Sequence, residues 1–482
     1  MQSRRDRVMA YNFTVGRLGT AMLEADPDAV DAPMRRTRTG TYIGLAIALV
    51  LCVGFLVFGL IFPGGASSWR EEGNLVVDKD SGAAYLYADG ALRPVANFAS
   101  ARLIQGSNME VSLVSADSLE GVPMGGPVGI AGAPDSLPGA ESLEEAVWRL
   151  CVIPTDDGER ARTALTIDAA PAPTGLTGNE AVLVTDPEGG HHLLWRGTRL
   201  RIDEDGAALQ ALGYGTSPAY RVTGAFLDAV PTAPDLAARD VPGAGSPGRV
   251  LAGGERLVGQ VFTVPTPERP DQHYLLSSEG LEPLTLTEAL LLLADPAHGA
   301  DAYPGATAEA IEIPAGEAHD HLAAGVAVGT DEDARVPTEP PVLLQPGGAV
   351  PCLRLDAEGS LSLTLDPADS VTARPFQEMP AIAPGCPTPD LLGVPAGGGA
   401  VVRARPVGGS TGSPTHYLVT DTAAKYPVAS EDALAALGAS AQTATEVPTS
   451  LLRLLPTGPV LHPDAAALPL GSLTPPDSGG CR

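Results

Sequence analysis

The longest unbroken apolar stretch lies near the front of the chain. Thr41 to Phe62 reads TYIGLAIALVLCVGFLVFGLIF, 22 residues without an ionisable charge. As a helix rising 1.5 Å per residue this is about 33 Å, enough to cross the hydrocarbon of a bilayer. Gly44, Gly54 and Gly59 do not disqualify it, because lipid cannot compete for backbone hydrogen bonds. A buried soluble helix fails on length and uniform apolarity. A cleaved signal core would be shorter, would start sooner and would end in an Ala-x-Ala exit. The stretch is read as a retained membrane helix. Ahead of it, Val8, Tyr11, Val15, Leu18 and Met22 recur at intervals of three and four. That spacing predicts one apolar stripe on a helix ending near Asp26-Pro27. A single stripe on so short an arm cannot bury itself, so it requires a partner helix, the reading we favour, or the membrane surface.

Beyond the apolar helix the pattern shortens and repeats. One segment runs from Tyr85-Leu86-Tyr87 through Asp89-Gly90 and Leu92 to Val95, followed by a helical stretch with Ala101 and Leu103. The second runs from His192-Leu193-Leu194-Trp195 through Ile202 to Ala211-Leu212-Gly213, and the third from His273-Tyr274-Leu275-Leu276 through Pro283-Leu284 to Ala289-Leu290. The fourth runs from His416-Tyr417-Leu418-Val419 through Tyr426-Pro427-Val428 to Ala436-Leu437-Gly438. Each reads as strand, turn, strand and short helix, the helix begun by an Asp, Ser or Thr cap. His192, His273 and His416 read as equivalent positions of the repeat. One such unit cannot bury its apolar face alone, and the uneven spacing argues against a regular solenoid. The inserts at about 105–180 and 295–400 are expected to supply a central β-rich region. The fold class is therefore α+β: one N-terminal transmembrane helix, then an elongated extracytoplasmic domain of ββα-like units around that region. The expected organisation is a cytoplasmic arm at 1–40, the transmembrane helix at 41–62, a linker at 63–70, the repeat domain at 71–462 and a Pro/Gly-rich tail at 463–482.

Charge orients the chain. Seven arginines (Arg4, Arg5, Arg7, Arg17, Arg35, Arg36, Arg38) and five acids precede the apolar stretch, whereas 23 basic and 53 acidic residues follow it. The positive-inside rule keeps the N-terminus in the cytoplasm and places everything after Pro63 outside. Tyr42 and Trp69 are expected near the two membrane interfaces. The net charge of −28 argues against nucleic acid, whose phosphates need a basic face. Gly and Pro together make up about a fifth of the residues, against about 12% in ordinary domains, which signals many turns and argues against a helix bundle.

Cysteine usage agrees with an oxidising outer side. Cys52 lies in the apolar stretch as a small hydrophobe, while Cys151, Cys352, Cys386 and Cys481 lie beyond it. Four cysteines allow three complete pairings. Cys151 and Cys352 each follow a largely apolar segment and look structural, so their pairing is favoured. A zinc site is the rival, but the spacing is not CxxC.

Several short patterns imitate chemistry. Gly243-Ala244-Gly245-Ser246-Pro247-Gly248 fits GxGxxG, yet it follows Pro242 instead of a strand and is broken by Pro247. Gly408-Gly409-Ser410-Thr411-Gly412 fits a nucleophile elbow, yet it leads into a strand instead of a helix. Glu317, His319 and His321 could ligate a metal, but in an acidic loop they read as solvated side chains. The only lysines, Lys79 and Lys425, do not follow a glycine, so no Walker-type phosphate loop exists. No catalytic, metal-binding or cofactor-binding residue is assigned.

Taken in order, five features carry a resemblance: Arg4-Arg5-Asp6-Arg7 leading into the arm and span; Gly90-Ala91-Leu92-Arg93-Pro94-Val95-Ala96-Asn97-Phe98-Ala99-Ser100-Ala101-Arg102-Leu103; Leu257-Val258-Gly259-Gln260-Val261-Phe262; Tyr417-Leu418-Val419-Thr420-Asp421; and Leu454-Leu455-Pro456-Thr457-Gly458-Pro459-Val460-Leu461. Over about residues 4–462 the chain resembles the EccB family of actinobacterial type VII (ESX) secretion systems. The ordered combination is far more specific than any one segment, and Pro463 to Arg482 falls outside it. The resemblance implies a structural subunit of the membrane-embedded secretion complex, working with EccC (the motor ATPase), EccD and EccE and with other EccB copies. It implies a disulfide at Cys151 and Cys352 and an outer domain that joins neighbouring protomers. Some relatives carry an ATPase label, with which the lysine pattern disagrees. Nucleotide hydrolysis and cell-wall glycan binding by the outer domain are the alternative functions.

Overall fold

The computed structural model describes residues 3–24, 34–61, 68–71, 73–139, 142–143, 146–155, 160–168, 175–325, 335–345, 347–405 and 415–471. The N-terminal helices belong to a small unit, and most other described residues to a large one.

In the small unit, helix α1 (Arg4–Glu24) starts at Ser3, whose hydroxyl accepts from Arg5 N while Asp6 accepts from Ser3 N at 3.0 Å. This reciprocal cap satisfies donors that a helix start leaves open. Val8, Tyr11, Val15, Leu18 and Met22 are all exposed. Helix α2 (Met34–Ile61) contains a stretch, Thr39–Phe58, of mean hydropathy 2.5 that is long and apolar enough to cross a membrane. It begins ahead of Thr41 because the arginine-rich lead-in is helical too, and the Leu, Ile, Val and Phe side chains of its Thr39–Phe58 stretch are exposed as lipid would require. Tyr42 is exposed, whereas Trp69 is 1% exposed and therefore does not face lipid headgroups as expected.

The large unit contains four sheets of one topology. The first takes Asn74–Asp78, Ala84–Ala88, Ala91–Pro94 and Glu110–Val114, and the second Glu180–Thr185, His191–Trp195, Thr198–Arg201 and Tyr220–Arg221. The third takes Val261–Val264, Gln272–Leu276, Leu281–Leu284 and Ile311–Glu312, and the fourth Ala400–Ala404, His416–Val419, Lys425–Val428 and Thr445–Val447. In each, three strands form an antiparallel meander and the fourth returns beside the first, giving the spatial order three-two-one-four. In the second, third and fourth sheets the return pairing is parallel, as Tyr220 with Val184, Ile311 with Phe262 and Thr445 with Val402. A parallel return needs a crossover, and a helix supplies it in Ala208–Ala211, Leu286–Ala294 and Glu431–Ala436; Phe98–Gln105 holds the same place in the first repeat. Three of these are capped by a side chain accepting a backbone N–H, from Asn97, Thr285 and Ser430 respectively. A further segment runs parallel beside strand three of each sheet, through the pairs Val95 with Val128, Ile202 with Leu236, Leu281 with Leu322 and Val428 with Leu461.

The repeat is thus larger than the expected strand, turn, strand, helix: one strand precedes that element and a second strand and helix follow it. Its register is set by one leucine on strand two. Leu86, Leu193, Leu275 and Leu418 are all buried and pair with the first strand at Leu75, Leu183, Val261 and Val401. Aligned on that leucine, His273 and His416 correspond, but His192 occupies the place of Tyr274 and Tyr417. The three histidines are therefore not one repeat position. The shared feature is a cross-strand Tyr–Pro pair, Tyr85 with Pro94, Tyr274 with Pro283 and Tyr417 with Pro427.

A six-stranded sheet lies among the repeats, in the order Leu361–Pro367, Ala349–Leu355, Val147–Pro154, Ala161–Asp168, Leu391–Gly393, Arg374–Pro375. Both inserts contribute to it, as their place between the repeats predicts. Strand alternation sends Trp148, Leu150 and Val152 to one face, where they share a core with Val182, Val184 and Phe226 of the second repeat and Val402, Val447 and Leu451 of the fourth. Ala99 and Leu103 of the first repeat enter a core with Val401, Leu418 and Leu434 of the fourth, so the first and last repeats pack together. Leu291 of the third repeat joins the core of the second.

Candidate functional site

The opposite face of the central sheet carries the clearest concentration of chemistry. Cys151 and Cys352 stand directly opposite each other on adjacent antiparallel strands, with Cα atoms 4.1 Å apart, and are joined as a disulfide. This is the spacing of a non-hydrogen-bonded antiparallel pair. Two positions away on the same face, Arg149 is 2% exposed and donates to Asp168 at 2.6 Å and to Asp366 at 3.3 Å. Asp366 also accepts from Thr364 Oγ1 at 2.6 Å. Arg354 is opposite Arg149 in register and is buried as well. A buried ion pair recovers its desolvation cost only when the remaining lone pairs are satisfied, and here Thr364 and the Ser370 carbonyl help to satisfy them. The disulfide fastens Val147–Pro154 to Ala349–Leu355, and the ion cluster fastens it to Ala161–Asp168 and Leu361–Pro367, so both join strands from different inserts.

The ion cluster was missed from sequence. Its signal is an arginine in the middle of an otherwise apolar run, Val147-Trp148-Arg149-Leu150-Cys151-Val152-Ile153, a place where an unpaired guanidinium would be prohibitive. Cys151, Cys352 and Asp366 are the one group among the described residues whose ligand atoms cluster closely enough for a metal. The two sulfurs are bonded to each other, so they offer no thiolate ligands.

The other candidates are dispersed. Glu317 lies on the helix Ala315–Asp320, where its carboxylate accepts from Ala252 N at 2.7 Å, a structural use of that side chain. Gly243 to Ser246 is a turn before the hairpin strand Pro247–Leu251, not a strand-to-helix cradle. Ser410 lies outside the described residues, as does Cys481. His192 pairs with Asp186 at 3.0 Å and His191 with Glu204 at 2.7 Å, while His298 Nε2 lies 2.8 Å from the Gly259 carbonyl. Lys425 is buried, donates to the Leu455 carbonyl at 2.5 Å, and has its pKa pushed down to about 8 by desolvation. That amine serves the fold of the fourth repeat. A cleft of about 460 Å³ lined by Ala96, Asn97, Gly132, Asp135, Leu470 and Gly471 offers one carboxylate, and its Asn97 is already committed to Ile130 O and Ser100 N.

An apolar helix fit for a membrane, four copies of one small sheet and a cross-braced central sheet define an anchored repeat protein whose polar groups are spent on architecture. The family model described as "Type VII secretion system ESX-1, transport TM domain B" matches residues 1–475, and the chain belongs to this family, EccB. It is similar to the ESX-3 secretion system ATPase EccB3 of Mycolicibacterium smegmatis, with 29% identity over 95% of this chain and 89% of the relative. It is also similar to the ESX-5 secretion system ATPase EccB5 of Mycobacterium tuberculosis H37Rv, with 31% identity over 60% of this chain and 58% of the relative. Among solved structures, a chain of an intact ESX-5 inner membrane complex aligns with a TM-score of 0.65 and 24% identity, covering 100% of this chain and 98% of that one. A chain of an EccB3 dimer from the ESX-3 core complex aligns with a TM-score of 0.62 and 26% identity, covering 82% of this chain and 99% of that one.

Proposed function

We propose that this protein is a structural subunit of a type VII secretion inner-membrane complex, anchored by α2 and joining neighbouring protomers on the outer side of the membrane. The observation that carries the reading is the coverage: one fold, from the apolar helix through all four repeats, aligns along the whole chain with a subunit of an intact ESX-5 membrane complex. In this reading residues 1–40 form the cytoplasmic arm, 41–62 the span, 63–70 the linker, 71–462 the outer repeat domain and 463–482 the tail. The arginines ahead of α2 support an N-terminus held in the cytoplasm. The unburied stripe of α1 supports docking of the arm on a neighbouring subunit, with EccC, EccD and EccE as the partners, and the dimeric relative supports contact with a second EccB copy.

Several relatives are named ATPases, yet the scaffold reading needs no turnover. Lys79 follows Asp78 and Lys425 follows Ala424, so neither sits in a phosphate loop, and the Lys425 amine is already held by a carbonyl. Affinity purification of the tagged full chain from native membranes tests the proposal. EccC, EccD and EccE are expected to co-purify, and to be lost when residues 1–26 are deleted while membrane insertion is kept. A chain that is extracted alone, or an arm deletion that leaves the assembly unchanged, would contradict it.

A further inference from the structure

The four return strands differ in length. Tyr220–Arg221, Ile311–Glu312 and Thr445–Val447 have two or three residues, whereas Glu110–Val114 of the first repeat has five. It is the outermost strand of its sheet, and among the described residues no segment pairs with its outer side. Such an edge is a template for another strand, and proteins guard it with lysine, proline, a bulge or brevity. This one reads Glu-Val-Ser-Leu-Val, with neither lysine nor proline. Val111 and Leu113 project from one face and are 51% and 61% exposed. We infer that a second copy of this chain covers the edge, its own Glu110–Val114 pairing antiparallel about a two-fold axis through Ser112, so that the two first-repeat sheets become one continuous sheet.

The backbone dictates that register. Lys79 N, just past the first strand, donates to Val114 O at 2.8 Å, so the N–H and C=O groups of Val114, and by alternation those of Ser112 and Glu110, face the first strand. Those of Val111 and Leu113 therefore point outward. In an antiparallel pair, opposite residues whose polar groups face the partner exchange both hydrogen bonds, and the next pair along exchanges none. Setting Val111 against Leu113 of the partner subunit, and Leu113 against Val111 of the partner subunit, satisfies every outward group of those residues in both copies. It also gathers both apolar pairs on one face. A centre at Val111 or at Leu113 would engage a single outward residue of each strand, and a shift by one residue would set outward groups against inward ones. Ser112 then meets Ser112 of the partner subunit on the axis, as a pair without hydrogen bonds. An edge so arranged about its middle residue is matched by a copy of itself.

The inference rests on the proposed function, in which neighbouring protomers join, and gives that contact a place. Cys151 and Cys352 show what a non-hydrogen-bonded antiparallel pair permits, Cα atoms 4.1 Å apart and a disulfide. The test is therefore Ser112→Cys in the full-length protein, oxidised in native membranes with copper phenanthroline, quenched with a maleimide and run on a gel without reduction. Added oxidant makes the readout independent of the compartment. The expected result is a dimer linked through the peptide carrying position 112, identified by mass spectrometry. Glu110→Cys should give no such link, because its two copies would stand at opposite ends of the pairing. Adding Val111→Pro to Ser112→Cys removes an outward N–H and leaves the bonds to the first strand in place, so the linked dimer should be lost while Cys151–Cys352 still forms. No link in Ser112→Cys, an equal link in Glu110→Cys, or a link that survives Val111→Pro overturns the pairing. A Ser112→Cys link to a different protein overturns it too, since the edge then has another occupant. Co-purification of EccC, EccD and EccE with the parent protein reports on the scaffold reading separately, so a failed pairing leaves that reading standing.

Discussion

Removing Arg149 should damage the protein more than the loss of two surface ion pairs would. The side chain is inside the central sheet, 2.6 Å from Asp168 and 3.3 Å from Asp366, and Asp366 is itself 1% exposed. In Arg149→Met the thioether fills much of the space, but the Asp366 carboxylate loses its cation and keeps its burial. Stranding a buried charge in this way costs about 3–5 kcal/mol. Asp168 is more open, with 18% of its side chain exposed, so its lost pairing contributes little by comparison. Arg149→Met/Asp366→Leu removes both charges and is expected to recover at least about half of the loss, because an apolar replacement of a buried pair is often neutral. Urea unfolding of the detergent-solubilised protein, followed by tryptophan fluorescence, reads the difference. Trp148 reports on this sheet directly, being adjacent in sequence and buried on its other face. The reasoning is refuted if Arg149→Met costs less than about 1 kcal/mol, or if the double variant is no more stable than the single one.

Two further outcomes follow from the same regions. Replacing both Cys151 and Cys352 by serine opens a bridge spanning 201 residues, which in the chain-entropy model costs up to about 5 kcal/mol; an unchanged urea midpoint would contradict a stabilising role. Lys425 has a folded-state pKa near 8 against 10.5 unfolded, set by desolvation. Above about 10.5 neither state is protonated, and as pH falls the unfolded chain takes up a proton first, so this residue makes stability rise with pH between about 8 and 10.5. Its full span is about 3 kcal/mol, and Lys425→Met should flatten the slope measured from about pH 8 to 9.5 relative to the parent protein. Identical slopes would rule this out.

How much of this was legible in the sequence depended on how many residues each signal occupied. The apolar helix and the arm stripe were readable because each extends over several turns. Strand two of every repeat was readable from its buried leucine, but the return strands Tyr220–Arg221 and Ile311–Glu312 have two residues each, too few to show alternation. The histidines misled because identity was matched without register: counted back from the buried leucine, His191 and not His192 stands where His273 and His416 do. Cys151 and Cys352 were favoured from their apolar flanks, while the ion cluster beside them combines residues from three separated strands. Arg149 looked like an interruption of an apolar strand when it is the charge around which two inserts are joined.

The central claim is that one membrane helix separates a cytoplasmic arm from a large outer domain. Single cysteines introduced as Tyr11→Cys on α1 and Val250→Cys on the exposed hairpin of the third repeat test it most directly, both native side chains being well exposed. Intact cells are treated with a membrane-impermeant maleimide, then lysed and treated again. The account predicts that the Val250→Cys protein is labelled before lysis and the Tyr11→Cys protein only afterwards. Labelling of the Tyr11→Cys protein in intact cells, or protection of the Val250→Cys protein until lysis, would contradict it.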